Sequence, residues 1–215
     1  MVGDGMVNKG DFVLMEFEGR DDKGNIFDST KGEVAKKLHG KEKPMLIVFG
    51  RAIMIPGLMK VIEKMKEGEE SEIVLEPNQA FGERKKDLIK VMPMKDFLKV
   101  GVDAKPGTVL HMDTDAGRIY GVVKSSAGGR VMVDFNHPLA GKKVRYKVKV
   151  LKIASKPEEK LTLLLENLEA RGDVKITGKK ARVVIDDKDF ENKKALILIN
   201  AKQLIPELDV EVVKK

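Results

Sequence analysis

Phe27-Asp28-Ser29 sets one acid between an aromatic ring and a hydroxyl, and the residues around this tripeptide determine how the chain folds. Upstream, Phe12-Val13-Leu14-Met15-Glu16-Phe17-Glu18 alternates as a strand does. Asp21-Asp22-Lys23-Gly24-Asn25 is a turn into a second strand, so the two form a hairpin. Downstream, Met45 to Phe49 is a short apolar run ending at Gly50. Gly57 then opens Leu58, Met59, Val61, Ile62 and Met65, whose three-to-four spacing predicts one amphipathic helix closed by Lys66-Glu67-Gly68-Glu69-Glu70. Glu72 to Glu76 returns as a strand with Ile73 and Leu75 on one face. The expected product is a sheet wrapped on one helix. Phe17, Phe27, Met45, Met54, Ile55, Leu58 and Phe81 form a scattered apolar set around Asp28 that suits chemistry needing a dry cup.

After Ala80-Phe81-Gly82 the character changes. Glu83-Arg84-Lys85-Lys86-Asp87 is a charged connector, Leu88 to Met92 a short apolar run, and Pro93-Met94-Lys95-Asp96-Phe97 a single helical turn. Three short strands follow near 109–112, 118–123 and 130–134, separated by Asp-Ala-Gly and Ala-Gly-Gly turns. Asn136-His137-Pro138-Leu139-Ala140-Gly141, the most distinctive run in the chain, leads into Val144, Tyr146, Val148, Val150 and Ile153, a long alternating strand that should rejoin the first sheet. A small β-rich segment is therefore nested inside one domain. Beyond it, Ser155-Lys156-Pro157-Glu158 opens a helix to about Glu169 carrying Leu161, Leu164, Leu165 and Leu168, with the Ser as cap. Strands near 174–176 and 181–185, a helix from about Asp187 to Gln203 and a strand over 210–213 complete an α-β-β-α-β tail.

Composition narrows the chemistry. No cysteine is present, which excludes disulfides, thiolate nucleophiles and cysteine metal sites. His39, His111 and His137 stand apart with no metal-ligand spacing, so no metal is expected. Charged residues make up 35% of the chain and glutamines number two, a balance of proteins from hot environments. The net charge of +7 is spread in short runs such as Lys36-Lys37 and Arg84-Lys85-Lys86, which reads as solvated surface rather than a nucleic-acid stripe. Apolar stretches such as 195–200 are far shorter than the roughly 20 residues that cross a bilayer, and the first five residues lack a signal pattern. A cytoplasmic protein without membrane contact is the expectation.

The ordered set Phe27-Asp28-Ser29, Gly50 to Leu58, Ala80-Phe81-Gly82 and Asn136 to Gly141 resembles the FKBP-type peptidyl-prolyl isomerases, specifically their SlyD-like, long archaeal subgroup, over roughly residues 8 to 153. Any single Met or aromatic at such spacing is more often plain core. The joint pattern, in the family's order and near its spacing, carries the resemblance. It implies an α+β fold with three parts: an FKBP-like isomerase domain (1–83 plus 134–154), an inserted β-rich insert-in-flap domain (84–133) and a C-terminal α+β domain (155–215).

The implied reaction crosses a barrier of roughly 18 to 20 kcal/mol set by amide resonance and breaks no covalent bond. No nucleophile, metal or cofactor is required. The resemblance maps the cup to Phe17, Phe27, Asp28, Met45, Met54, Ile55, Leu58, Phe81, Leu139 and Tyr146. Asp28 would steer the carbonyl electrostatically, and Ile55 would hold the peptide through its amide. Phe17 and Phe81 stand where the family often has Tyr, Leu58 where many relatives have an aromatic and Met59 where they usually have Glu, departures that imply weaker catalysis.

By the same resemblance the insert lies over the active site and binds unfolded chains, through Met92, Met94, Phe97, Val100, Leu110, Met112, Val122 and Met132. The alternative is that these side chains fill the insert's own core, and both hold for different members. The tail is nearly neutral, with 13 basic and 12 acidic residues. In long relatives such a tail is linked to self-association, which implies a homodimer fed by Ala195-Leu-Ile-Leu-Ile199; a self-contained small domain is the alternative. The partners implied are unfolded or proline-containing polypeptides. Two functions stay open at this point: an isomerase and folding helper, or a holdase chaperone with little isomerase activity.

Overall fold

In a computed structural model describing residues 6–51, 55–114, 117–170, 172–186 and 188–215, strands β1 (Phe12–Arg20) and β2 (Ile26–Ser29) form the expected hairpin. Met54, Asp115, Ala116 and Asp187, which the sequence reading places in the cup, in a turn and at a helix start, lie outside the described residues. Asp21 closes the hairpin turn: its carboxylate accepts from the backbone of Lys23 and Asn25 and from the Asn25 side chain at 2.8–3.0 Å. Helix α1 (Gly32–His39) follows, ending where Gly40 at φ 78° donates its N–H to Lys36 O. The sequence reading did not anticipate α1. Strand β3 (Met45–Val48) pairs antiparallel with β1, placing Met45 opposite Met15. Helix α2 (Pro56–Ile62) starts on a proline, whose fixed φ suits the first helical position, and packs on β4 (Glu70–Leu75). The apolar spacing predicts α2 to run to Met65, but bonds from Lys64 to Val61 and from Met65 to Ile62 tighten the chain, and the helix stops a turn early with Met65 still buried.

The chain divides into two units, Glu76–Lys143 and the remainder, Met1–Leu75 with Val144–Lys215. Within Glu76–Lys143, β5 (Ile89–Pro93), α3 (Met94–Lys99), β6 (Val109–Thr114), β7 (Gly117–Ala127) and β8 (Arg130–Asp134) build a four-stranded antiparallel sheet in the order β5-β8-β7-β6. The β7–β8 hairpin turns on Gly128 and Gly129, both at positive φ (58° and 74°), the backbone of a two-residue primed turn that side chains resist. Phe97, Ala104, Leu110, Val123, Val131 and Val133 form this unit's own small core.

In the other unit, β9 (Val144–Ala154) pairs with both β1 and β4, so the long alternating strand rejoins the first sheet, in the order β2-β1-β9-β4 with β3 on β1. The tail supplies α4 (Pro157–Asn167), β10 (Gly172–Thr177), β11 (Lys180–Ile185), α5 (Phe190–Leu204) and β12 (Asp209–Lys214), the expected α-β-β-α-β order. At the start of α4 the cap position falls to Lys156, not Ser155, and the Glu159 carboxylate turns back to its N–H. Strands β10 and β11 are antiparallel, β11 and β12 parallel with α5 as the crossover.

The tail shares a core with the first sheet. Phe12, Val48 and Ala154 belong to one buried cluster with Leu161, Leu164, Val183, Ile185, Ile197 and Ile205. Phe12, Val13 and Met15 are all fully buried, so both faces of β1 are covered at its start, one of them by the tail. Polar ties add to this: Lys41 pairs with Glu169, Lys43 donates to the Asn167 carbonyl and Arg51 to the Gln203 carbonyl at 2.6 Å. Among the described residues no helix is long and apolar enough to cross a membrane.

Candidate active site

Across three neighbouring strands, Asp28 on β2, Gly19 on β1 and Tyr146 on β9 stand directly opposite one another. Directly opposed residues share a sheet face, and a glycine in the middle leaves room for the side chains on either side to lean inward. The rings take that room. A Cβ on Gly19 would lie 2.7 Å from Phe27 Cζ and 3.0 Å from Tyr146 Cε1. Phe27 reaches this face because the β1–β2 register shifts: Gly19 pairs with Asp28 and Arg20 with Ile26, and Phe27 is the residue skipped. Such a bulge re-aims a side chain that strict alternation would send to the other face. Phe27 meets Tyr146 edge to face at 5.7 Å and 82°, and Phe17, two residues before Gly19, tilts against the same tyrosine at 6.2 Å. Three of the aromatic candidates therefore form one layer. Gly19 was missed in the sequence reading, although a lone glycine inside a strand pattern signals a bulge or a close approach.

Asp28 is the acid beside this layer, half-buried, and its Oδ1 lies 2.8 Å from His39 Nε2 at the end of α1. The sequence reading treated His39 as an isolated residue. Burial pushes the Tyr146 hydroxyl well above its ordinary range and the Asp28 charge pushes it further, so the phenol keeps its proton. The loop between β2 and α1 is pinned at Thr30: its Oγ1 accepts the Phe17 N–H at 3.0 Å, and its own N–H donates to Phe17 O at 3.0 Å. The aromatic layer and the acid are thereby held on one short stretch of paired backbone.

Of the aliphatic candidates, Leu58 is 1% exposed on α2, Ile55 is the half-buried residue preceding that helix, and Met45 is half-buried at the start of β3. Phe81 and Leu139 belong to the Glu76–Lys143 unit. There Phe81 stacks on His137 with centroids 4.4 Å apart and planes 4° from parallel, and the His137 Nδ1 accepts the Leu139 N–H at 3.2 Å. Burial lowers the His137 pKa, favouring the neutral ring. Gly141 donates to Gly82 O at 2.9 Å, so Ala80-Phe81-Gly82 and Asn136 to Gly141, remote in sequence, meet in space. Beside them Asn136 bonds both backbone groups of Lys85 at 2.8 and 2.9 Å, and Arg84 pairs with the buried Asp134.

The insert residues divide as the two readings allow. A groove of about 490 Å³ is lined by Met92, Phe97, Val100, Leu110 and Met112 together with Val109. Phe97 and Leu110 also belong to the insert's core, with Met92 and Met94 packed against it. Val100 and Val109 are 72% and 66% exposed, more than a core requires of a valine. Val122 is half-buried on β7 and Met132 exposed on β8, and neither lines the groove.

The comparisons agree with this architecture. A model described as FKBP-type peptidyl-prolyl cis-trans isomerase matches residues 3–98, and one described as FKBP26, IF domain, matches residues 90–139. The chain is 32% identical over 141 residues to the FKBP-type 16 kDa peptidyl-prolyl cis-trans isomerase of Escherichia coli K12, covering 66% of this chain and 89% of that protein. It is 31% identical to the SlyD isomerase of Helicobacter pylori (69% and 76% covered) and 28% identical to the short-type peptidyl-prolyl cis-trans isomerase of Methanocaldococcus jannaschii (67% and 92% covered).

Proposed function

The chain belongs to the FKBP-type peptidyl-prolyl cis-trans isomerase family, and from that premise we propose that its two units divide the work on polypeptide substrates. The aromatic layer of Phe17, Phe27 and Tyr146, with Asp28 at its edge, is where X-Pro bonds rotate. The observation that carries this is the edge-to-face pair of the half-buried Phe27 and the buried Tyr146 over Gly19, an apolar layer beside the half-buried Asp28. A planar imide owes its barrier to charge-separated resonance that water stabilises, and the twisted transition state has lost much of that separation. A surface that excludes water therefore disfavours the planar state relative to the twisted one, and binding differences alone lower the barrier. Asp28 acts through its field on the carbonyl and transfers no proton. Leu58, Ile55 and Met45 supply aliphatic surface; Met54, Phe81 and Leu139 enter this reading from the family resemblance alone.

The insert captures non-native chains in the groove between α3 and β6, where Val100 and Val109 offer exposed apolar surface and Met92 and Met112 adaptable thioethers. Replacing residues 84–133 by a short Gly-rich linker tests the division. Turnover of a short X-Pro peptide should stay within about twofold, while catalysis of proline-limited refolding of a whole protein and suppression of its aggregation both fall about tenfold or more, a difference of roughly 1.4 kcal/mol or greater. Equal loss on both substrates would contradict it. Self-association is supported by Leu196 and Ile199, three residues apart on α5 and 45% and 57% exposed; light scattering of a Leu196→Glu, Ile199→Glu chain against the parent tests it.

A further inference from the structure

The Asp28–His39 contact joins two segments that the hairpin and α1 bring back together after eleven residues. A carboxylate oxygen only accepts, so the imidazole nitrogen facing it must carry the hydrogen: Nε2–H donates to Oδ1 at 2.8 Å. The geometry has two fixed ends. Asp28 sits in the β1–β2 ladder opposite Gly19, and Thr30 ties the following loop to Phe17. His39 is the last residue of α1, and the left-handed Gly40 closes the helix there, so the backbone bearing the imidazole is set by a C-cap. On the same helix Lys36 pairs with Glu33 and Glu42 at 2.9 and 3.3 Å, and Tyr146 on β9, a phenol kept neutral by burial and by the Asp28 charge, feels the same carboxylate.

We propose that His39 is a positioning residue for peptidyl-prolyl isomerisation, holding Asp28 Oδ1 so that the carboxylate keeps one orientation beside the aromatic layer. This rests on the reading that Asp28 borders the reacting peptide. A carboxylate on a short side chain rotates freely about its last bond in water, and its field on a carbonyl averages over those orientations. One charge-assisted hydrogen bond from outside the layer removes that averaging and fixes the carboxylate beside the aromatic rings. The contribution should appear in kcat rather than in KM, because it acts on charge redistribution during rotation and adds no surface to the bound peptide.

The test is steady-state isomerisation of a short X-Pro peptide by full-length His39→Ala, His39→Gln, Asp28→Ala and the Asp28→Ala, His39→Ala double variant. His39→Ala should lower kcat about threefold to tenfold with KM unchanged, as expected for one partly exposed charge-assisted hydrogen bond. His39→Gln, which places an amide N–H near the lost Nε2–H, should recover to within about twofold of the parent. Adding His39→Ala to Asp28→Ala should change nothing further. If Asp28→Ala is impaired while His39→Ala is not, or if the Gln variant is as impaired as the Ala variant, the role of His39 is overturned and the site stands. A fully active Asp28→Ala overturns the placement of Asp28, and the role of His39 with it.

Discussion

The Phe27 ring stands edge-on to the Tyr146 ring, 5.7 Å away and 82° from its plane, directly above the α-carbon of Gly19. The pair exists because two irregularities coincide: a register shift that turns Phe27 inward and a residue without a side chain beneath it. Gly19→Ala therefore tests the layer without replacing any side chain in it. A methyl 2.7 Å from Phe27 Cζ must push the ring aside, an overpacking that costs about 1 to 3 kcal/mol. Isomerisation of a short peptide should fall about tenfold, while the chain still folds and the groove on the insert still binds an unfolded client. Unchanged turnover in a folded Gly19→Ala chain would show that the ring geometry does not matter.

The acid side of the stability curve should report Asp134. Burial alone would raise its pKa, but hydrogen bonds from the Asn136 side chain and backbone and the charges of Arg84 and Lys124 outweigh this and hold the carboxyl below its ordinary value. Because the folded value is the lower one, the unfolded chain binds the proton first as pH falls. The stabilisation is thus fully present above the unfolded value of about 4 and is lost as pH drops through the folded value. Urea midpoints followed by circular dichroism from pH 7 to 2 should fall less steeply below pH 4 in Asp134→Asn than in the parent. Superimposable acid limbs would contradict the assignment.

The tail should be a structural part of the first sheet. Phe12 and Ala154 are fully buried and Val48 nearly so, in a cluster completed by α4 and α5. Ending the chain at Ala154 uncovers all three, so the shortened chain should melt well below the parent and aggregate. Leu161→Ala, at a fully buried position, should cost about 2 to 5 kcal/mol, read as a lower melting temperature in calorimetry of the full chain. A 1–154 chain with the parent's melting temperature would show that the tail folds and acts alone.

Much of this was legible in the sequence. The 3.6-residue period of Leu161, Leu164, Leu165 and Leu168 and the strict alternation of Val144 to Val150 survive any tertiary context, and the structure has both elements where the periods place them. Helix α1 was overlooked although Val34, Ala35 and Leu38 stand at helical spacing: its eight residues make barely two turns, and only Ala35 is fully buried, so the period is short. The layer over Gly19 depends on a register shift, which two strands settle between them and neither shows alone. The covering of β1 by the tail had a trace: Phe12-Val13-Leu14-Met15 is an unbroken apolar run before alternation begins, the pattern of a strand end buried on both faces. His39 escaped because its partner lies eleven residues away across a turn and a helix, a distance no spacing rule covers.

The most direct measurement is the kcat/KM of Phe27→Ala on a short X-Pro peptide in a protease-coupled assay, beside its capacity to keep an unfolded client from aggregating. The account predicts a loss of tenfold or more in isomerisation, about 1.4 kcal/mol of transition-state stabilisation, with client protection unchanged because the groove lies in the other unit. Full isomerase activity in a folded Phe27→Ala chain would contradict it.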